Sequence, residues 1–164
     1  MTTIAYKDGK IAYDSRMLRG GKIIDDDHDK HTVATFQGRT AHFFGSGSVA
    51  DINKLIEAYV VKDCSEDLNA SCLVVEDGEI YEIGSGDGYW EVFVTEPCTS
   101  IGSGSDHAFT AMDLGLSAEN AVHMSIKRDA SSGGTVRVFD IESMQEVTQI
   151  PKEPDSGDGS EEHY

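Results

Sequence analysis

The sequence predicts an α+β domain in which antiparallel β-sheets pack against helices. Two Asp-Gly pairs lie between runs of alternating apolar residues, which is the pattern of a β-hairpin. Elsewhere the apolar period changes to that of a helix, first in one segment and later in a pair of segments. The resulting order of strands, helix, strands, two helices and strand is typical of a layered α+β domain. With 164 residues, of which 38% are hydrophobic, the chain is long enough to bury one core.

The chain begins with two predicted hairpins. The first turns at Asp8-Gly9, and the second turns around Gly38. A polar stretch, "DDDHDK" at 25–30, separates them. The strands predicted in this half are 2–6, 10–13, 32–36 and 40–44.

The first helix is predicted over Val49–Val61. Leu55, Ile56 and Tyr59 recur there at helical spacing. Ser48 precedes them and can cap the helix, because its hydroxyl can accept a hydrogen bond from a free amide of the first turn.

The second half returns to strands and then contains two helices. The two helices lie within 102–134, where Gly115 can end the first and Ser117 can cap the second. The strands predicted in this half lie at 71–83, across the second Asp-Gly pair, at 89–94 and at 135–141.

The last residues differ in composition from the rest. Residues 151–164 contain five acidic residues, one lysine and two prolines, but no large aliphatic residue. Such a segment cannot bury enough apolar surface to offset its ordering entropy. The sequence therefore predicts a single domain over 1–150, followed by an acidic disordered tail over 151–164.

The charge excludes several classes of partner. The net charge of -17 opposes binding to a nucleic-acid backbone or to an anionic membrane surface. No apolar run is long enough to cross a bilayer, and the N-terminus lacks the basic and then apolar layout of a signal peptide. We therefore expect a cytoplasmic protein that binds neither nucleic acid nor membrane.

No pattern of metal ligands is found in the sequence. Cys64, Cys72 and Cys98 are odd in number and lack CxxC spacing, so we expect reduced thiols. The run "DDDHD" would need glycine at its sixth and glutamate at its twelfth position to be a calcium loop, but Lys30 and Phe36 occupy them. We expect no metal and no organic cofactor.

Thr2 is the first candidate for chemistry. A methionine before a small residue is normally removed in the cytosol, which would leave Thr2 with a free α-amine beside its own hydroxyl. An α-amine titrates near about 7.7 to 8.0 and can accept the hydroxyl proton while the oxygen attacks a carbonyl. Thr2 would then carry both the nucleophile and its base.

Further segments strengthen this hypothesis. In order along the chain they are "TTI" with "KDG" at the start, "DSR" at 14–16, "GSGSVAD" at 45–51, "GSGS" at 102–105 and "RDASSGG" at 128–134. With these segments the chain resembles proteasome β-subunits and the bacterial HslV peptidase, which are N-terminal nucleophile (Ntn) hydrolases. The resemblance implies a four-layer αββα sandwich. Its helical layer would be reduced, because only a short segment follows Val61 where the family inserts a second long helix.

The resemblance also implies catalytic roles. Thr2 corresponds to the nucleophile, Asp14 to a carboxylate that holds a lysine, and Lys30 to that lysine, with Lys22 as the alternative. Lys30 lies at the spacing from Asp14 that the family pattern requires. An adjacent carboxylate would keep this lysine protonated, and the cation would favour the alkoxide form of Thr2.

Four more residues match the family's site. Gly47 corresponds to the residue whose amide binds the oxyanion, because glycine lets substrate approach the main chain closely. Ser103, Asp129 and Ser132 correspond to the polar cluster around the α-amine.

Substrate contacts are expected from Gly45, Ser46 and Val49. The absence of a side chain at Gly45 suggests a roomy pocket, and nearby acidic residues suggest a preference for basic side chains.

The sequence thus predicts a threonine endopeptidase of the HslV or proteasome β type. The resemblance implies a homo-oligomeric ring around the sites, a polypeptide substrate and an ATP-dependent unfoldase as a possible partner. A proteasome-like subunit that binds or assembles without cleaving is the alternative, and a hydrolase of a small amide is a third possibility.

Overall fold

The computed structural model describes residues 2–147. It contains the predicted elements and, in addition, four short strands that the sequence does not predict. The predicted removal of Met1 and the predicted tail at 151–164 lie outside the described residues. The strands are β1 (Ile4–Lys7), β2 (Lys10–Tyr13), β3 (Met17–Arg19), β4 (Lys22–Asp25), β5 (His31–Phe36), β6 (Arg39–Gly47), β7 (Ala70–Glu76), β8 (Glu79–Ser85), β9 (Tyr89–Phe93), β10 (Cys98–Ile101), β11 (Arg137–Asp140) and β12 (Gln145–Glu146). The helices are α1 (Val49–Val61), α2 (Ser105–Asp113) and α3 (Ala118–Arg128).

Three hairpin turns form where the sequence predicts them. Asp8 and Gly9 have φ angles of 51° and 76°, and Asp77 and Gly78 have φ angles of 52° and 75°. The turn at 37–38 has the same left-handed backbone. Two successive residues with positive φ match the twist of the flanking strands, which explains the preference for glycine in these two-residue turns.

The helices begin and end at the predicted signals. Ser48 accepts a hydrogen bond from the Asp51 amide at 3.2 Å, and Ser117 accepts one from the Asn120 amide at 3.2 Å. Gly115 follows α2 with a φ of 98°, a conformation that an L side chain rarely adopts. The predicted bounds of α1 and those in the structure are the same.

The strands form two five-stranded antiparallel sheets and one ribbon. The first sheet has the order β10-β1-β2-β11-β12, the second sheet has the order β5-β6-β7-β8-β9, and β3 pairs with β4 alone. β1 lies between β2 and β10, with Ile4 opposite both Tyr13 and Ile101. The N-terminus of the described chain is therefore held inside a sheet.

Three apolar clusters separate four layers. The cluster between the two sheets contains Ile4, Ile11, Tyr13, Phe44, Leu73, Val75, Ile80, Ile101 and Phe139. The cluster between the first sheet and α2 with α3 contains Ala5, Ala12, Ala108, Ala111, Met112, Ala118, Ala121, Val122, Val136 and Val138. The cluster between the second sheet and α1 contains Ala41, Phe43, Leu55, Ile56, Tyr59, Cys72, Val74 and Ile83. This αββα arrangement confirms the predicted fold class.

The outer layer on the second sheet is a single helix in the described part of the chain, as predicted. Residues 62–69 connect α1 to β7 without a helix. They are anchored by hydrogen bonds from the Asn69 amide to Asp51 at 3.0 Å and from the Leu68 amide to the Ser85 carbonyl at 2.9 Å. The connection therefore lies near the end of β8 and the start of α1.

Candidate active site

Thr2 lies two residues before the start of β1 and is only 2% exposed. Its carbonyl accepts a hydrogen bond from the Gly104 amide at 3.2 Å, in the loop between β10 and α2. In this loop Gly102 has a φ of 97°, and a Cβ at this position would overlap the Thr2 carbonyl. Glycine is thus required for the loop to approach the N-terminal residue so closely.

A lysine and a carboxylate flank the Thr2 hydroxyl. The Lys30 ammonium donates to Thr2 Oγ1 at 2.7 Å and to Asp14 Oδ1 at 2.8 Å. The Asp14 side chain is 0% exposed and the Lys30 side chain 7% exposed. The sequence placed these three residues together through the family motif, and the structure brings them together.

Asp14 is saturated with donors. Besides Lys30, it accepts hydrogen bonds from the amides of Thr3 at 3.0 Å, Arg16 at 3.3 Å and Gly133 at 2.9 Å. A fully buried carboxylate is tolerated when its lone pairs are satisfied in this way. Asp14 follows β2, so the first sheet fixes its position relative to Thr2.

Burial lowers the pKa of Lys30, and the attraction of Asp14 offsets only part of this effect. Asp14 thus acts in the direction that the sequence analysis expects, and burial acts against it. Asp14 favours the ammonium form, but desolvation has the larger effect, so Lys30 releases its proton more readily than an exposed lysine.

A second polar cluster surrounds the Thr2 nitrogen. Thr2 N donates to Ser103 Oγ at 3.1 Å, and Ser103 Oγ donates to Asp129 Oδ2 at 2.6 Å. Ser132 Oγ also donates to Asp129 Oδ2, at 2.7 Å. Because the Ser132 proton is used in this bond, the Thr3 hydroxyl must be the donor in its 2.8 Å contact with Ser132. The hydroxyls form one directed network that ends on the Asp129 carboxylate.

The Asp129 carboxylate is stabilised as an anion. Burial alone would raise its pKa, but hydrogen bonds from Ser103, Ser132 and the Ser131 amide together outweigh burial and lower the pKa. Asp129 directly follows α3, so this helix positions the anion beside the N-terminal residue.

Thr2 lines a cavity of about 760 Å³. Gly45, Ser46 and Val49, the predicted substrate contacts, line it together with Gly47 and Thr2. Gly47 has a φ of 123°, and a Cβ there would overlap the Asn69 carbonyl of the neighbouring strand region. Position 47 therefore accepts only glycine without strain.

Two expectations about the pocket have no support in the structure, and the alternative lysine lies away from the cavity. Gly45 does not open extra space, because a Cβ at Gly45 would lie 2.8 Å from Ile52, whose side chain already occupies that volume. Lys22, the alternative lysine, is exposed on β4 and does not line the cavity. No Asp or Glu of the described residues lines the cavity, and its charged lining residues are Arg16, Arg19 and Lys30. A preference for basic side chains thus has no support.

Sequence reasoning missed how the acidic run at 25–29 is used. Arg16 makes a bidentate contact with Asp26, at 2.8 and 3.2 Å, and Arg137 donates to Asp27 at 2.9 Å. These ion pairs hold the loop that ends at Lys30. The excess of carboxylates before Lys30 indicates that cationic partners exist. It does not indicate which lysine or arginine residues these partners are.

No candidate metal centre and no membrane-spanning helix is found in the described region. Between residues 2 and 147, no group of three or more His, Cys, Asp or Glu side chains could hold a metal ion. The three helices of this region are all too short or too polar to cross a bilayer. Cys64, Cys72 and Cys98 are free thiols.

Comparison with known proteins identifies the fold. No protein-family model matches the sequence, and no curated protein sequence matches it either. Among solved structures, the eukaryotic HslV from Trypanosoma brucei is similar with a TM-score of 0.61 and 17% sequence identity, over 85% of this chain and 98% of that one. BPH from Thiobacillus denitrificans in complex with epoxomicin has a TM-score of 0.60 and 18% identity, over 84% and 96% of the two chains. A second structure of this BPH has a TM-score of 0.58 and 21% identity, over 84% and 95%. The chain therefore has the proteasome-type Ntn-hydrolase fold.

Proposed function

We propose that this protein is a threonine endopeptidase in which Thr2, after removal of Met1, attacks peptide bonds. The observation that carries the proposal is the buried contact of Lys30 Nζ with Thr2 Oγ1 at 2.7 Å and with Asp14 at 2.8 Å. A threonine with a purely structural role does not need a buried ammonium at its hydroxyl, since burying that charge is costly.

In the first step, Thr2 Oγ1 attacks the carbonyl carbon of the scissile bond and its proton passes to the α-amine of Thr2. Lys30 donates a hydrogen bond to the attacking oxygen and favours its alkoxide form. The amide of Gly47 is proposed to bind the negative charge that develops on the carbonyl oxygen.

In the second step, the tetrahedral intermediate collapses to an ester on Thr2 as the C–N bond breaks. The protonated α-amine gives its proton to the leaving amine of the substrate. A water molecule, deprotonated by the same α-amine, then hydrolyses the ester and regenerates Thr2. The network of Ser103, Asp129 and Ser132 is proposed to orient the α-amine for both transfers.

The assembly is proposed by resemblance. Subunits of this type would form a homo-oligomeric ring that encloses the sites, and an ATP-dependent unfoldase would feed polypeptides into it. A cytoplasmic location is consistent with this proposal. The first test of assembly is the mass of the purified protein in solution.

A non-cleaving proteasome-like subunit is the second candidate. The observation that favours it is the single helix in the outer layer of the described chain, since that layer offers less surface for a neighbouring subunit. The contacts of Lys30 with Thr2 and Asp14 favour the peptidase.

The deciding experiment is the intact mass of the full chain before and after incubation with epoxomicin. We expect loss of Met1 and one covalent adduct per chain, and no adduct in Thr2→Ala. Thr110→Ala, an exposed threonine on α2, is the matched control and should react like the wild type. Retention of Met1 without an adduct would refute the peptidase and favour the second candidate.

A further inference from the structure

We infer that the cavity selects substrates with an acidic side chain and that Arg19 is the residue that recognises this carboxylate. The inference rests on the proposed function and specifies its substrate class. It is derived from the charges that line the cavity, from the ion pairs that these charges make, and from the position of Arg19 in the β3–β4 ribbon.

The cavity differs in charge from the rest of the molecule. The sequence contains 30 acidic and 13 basic residues, yet the charged groups of the cavity lining are Arg16, Arg19 and Lys30. No carboxylate from the described residues is part of this lining. A cavity without anions in so acidic a chain favours substrate groups of negative charge.

Two of these three cations already have partners. Arg16 is paired with Asp26 at 2.8 Å, and Lys30 is paired with Asp14 at 2.8 Å. Within residues 2–147, by contrast, Arg19 makes no ion pair. Its guanidinium is therefore available for a carboxylate of the substrate, which it can bind with two parallel hydrogen bonds.

The ribbon presents Arg19 at the cavity. Arg19 is the last residue of β3, and the turn that follows is formed by Gly20 and Gly21, with φ angles of 56° and 75°. The preceding residues of the strand, Met17 and Leu18, line the same cavity. One wall of the cavity thus places apolar side chains next to a cation, which suits a peptide with an acidic residue beside an apolar one.

The strand opposite provides a matched control. Lys22 is paired in register with Arg19 across the ribbon, and it is exposed and does not line the cavity. Lys22→Glu changes the net charge of the molecule as much as Arg19→Glu does, and in the same ribbon. A difference in substrate preference between these two variants therefore results from contact in the cavity and not from the long-range electrostatic field of the molecule.

The experiment measures kcat/KM of the full chain on internally quenched peptides that carry Glu, Gln or Lys at one position at a time around the cleaved bond. At one position we expect Glu to exceed Gln by about fivefold, the effect of an exposed ion pair. Arg19→Ala should abolish the preference for Glu over Gln peptides. Arg19→Glu should replace it by a preference for Lys peptides, and Lys22→Glu should leave the preference for Glu unchanged. Using Gln as the reference separates specificity from any loss of folded enzyme.

Peptides with a free or an amidated C-terminus distinguish the two sources of a carboxylate. An Arg19-dependent preference for the free C-terminus, without one for Glu, would overturn the inference of an acidic side chain. Equal rates for Glu and Gln peptides, or a Glu preference that survives Arg19→Glu, would also overturn it. In these cases the Gln peptides are still cleaved and the proposed function stands. If no peptide is cleaved and no epoxomicin adduct forms, the proposed function fails, and the inference fails with it.

Discussion

At the residue scale, the candidate site is built around one buried cation between two oxygens. Lys30 contacts both Thr2 and Asp14, whereas Asp14 has three backbone amides as further donors. Without the lysine, the Asp14 carboxylate would therefore keep its hydrogen bonds from the three amides, but the Thr2 hydroxyl would lose its charged neighbour. Loss of Lys30 should therefore reduce activity strongly but change the position of the Asp14 side chain only a little.

Lys30→Met tests this dependence because methionine fills a similar volume without charge. We expect the rate of epoxomicin adduct formation to fall by about a hundredfold or more, the usual effect of removing one donor from a charged transition state. The unpaired Asp14 should also lower the free energy of unfolding by about 3 to 5 kcal/mol. Adduct rates by mass spectrometry and chemical denaturation measure the two effects separately. An adduct rate close to that of the wild type would exclude a catalytic role for Lys30.

The pH dependence of the reaction gives a second prediction at this scale. Activity should rise as the α-amine loses its proton near about pH 8 and fall again as Lys30 loses its own. Because the pKa of Lys30 is lowered, the alkaline limb should lie below the ordinary lysine value of about 10.4. Asp14 favours the charged form, so Asp14→Asn should move this limb to still lower pH. A profile of kcat/KM against pH for both proteins checks the shift, and a limb that stays in place or moves up would contradict it.

At the element scale, a pair of histidines links β5 and β6. The rings of His31 and His42 are stacked, and His31 Nε2 lies 2.8 Å from His42 Nδ1. His31 also stacks on Phe44 and contacts Phe139 between the two sheets. Burial lowers the pKa of both histidines, and for His31 the neighbouring His42 lowers it further. Folding therefore favours the neutral form of both rings.

Protonation of this pair should destabilise the fold. Since both folded-state pKa values lie below the unfolded value, the unfolded chain binds more protons below about pH 6.5. The stabilisation is complete above that pH and is lost as the pH falls, by up to about 1.4 kcal/mol per pH unit for each histidine. His42→Phe should reduce this slope in urea denaturation between pH 7 and 5. His123→Phe, on the exposed face of α3, is the control, and an unchanged slope in His42→Phe would contradict the assignment.

The elements that were predictable are those whose signals are local. The hairpin turn at Asp8-Gly9 and the caps Ser48 and Ser117 depend on residues within a few positions of one another. Strands β3, β4, β10 and β12 have two to four residues each, and the sequence analysis predicts none of them. β10 is a strand because it pairs with β1 across about ninety intervening residues, which no local pattern encodes.

The site was predictable only through the family motifs. The spacing of Asp14 and Lys30 has no meaning by itself, since residues this far apart meet only after both sheets have formed. The ion pair of Arg137 with Asp27 spans 110 positions and had no motif to indicate it. The expectation that nearby acidic residues favour basic substrate side chains likewise has no support, because Asp26 and Asp27 pair with Arg16 and Arg137 and do not line the cavity.

At the scale of the whole molecule, the candidate site straddles the two sheets. Thr2 and Asp14 lie next to β1 and β2 of the first sheet. In the second sheet, Lys30 directly precedes β5 and Gly47 is the last residue of β6. The contact between Lys30 and Thr2 therefore depends on how the sheets pack. We therefore expect the interlayer core to affect the candidate site although none of its residues lines the cavity.

Phe139 is the residue that tests this dependence. It is 1% exposed on β11 of the first sheet and packs against Phe44 and the histidine pair of the second sheet. Phe139→Ala should lower the free energy of unfolding by about 3 to 5 kcal/mol, because it leaves a cavity between the sheets.

The same substitution should slow epoxomicin adduct formation even where the protein remains folded, since the two halves of the site lose their common support. Phe93→Ala, at the 47% exposed Phe93 on the edge strand β9, removes an equal side chain without opening the interlayer core. Its adduct rate and stability should stay near those of the wild type. Denaturation curves fix the folded fraction, and adduct rates are compared at equal folded fraction. If Phe139→Ala then reacts as fast as Phe93→Ala, sheet packing does not set the Lys30 to Thr2 contact, and the residues of the cavity hold it alone.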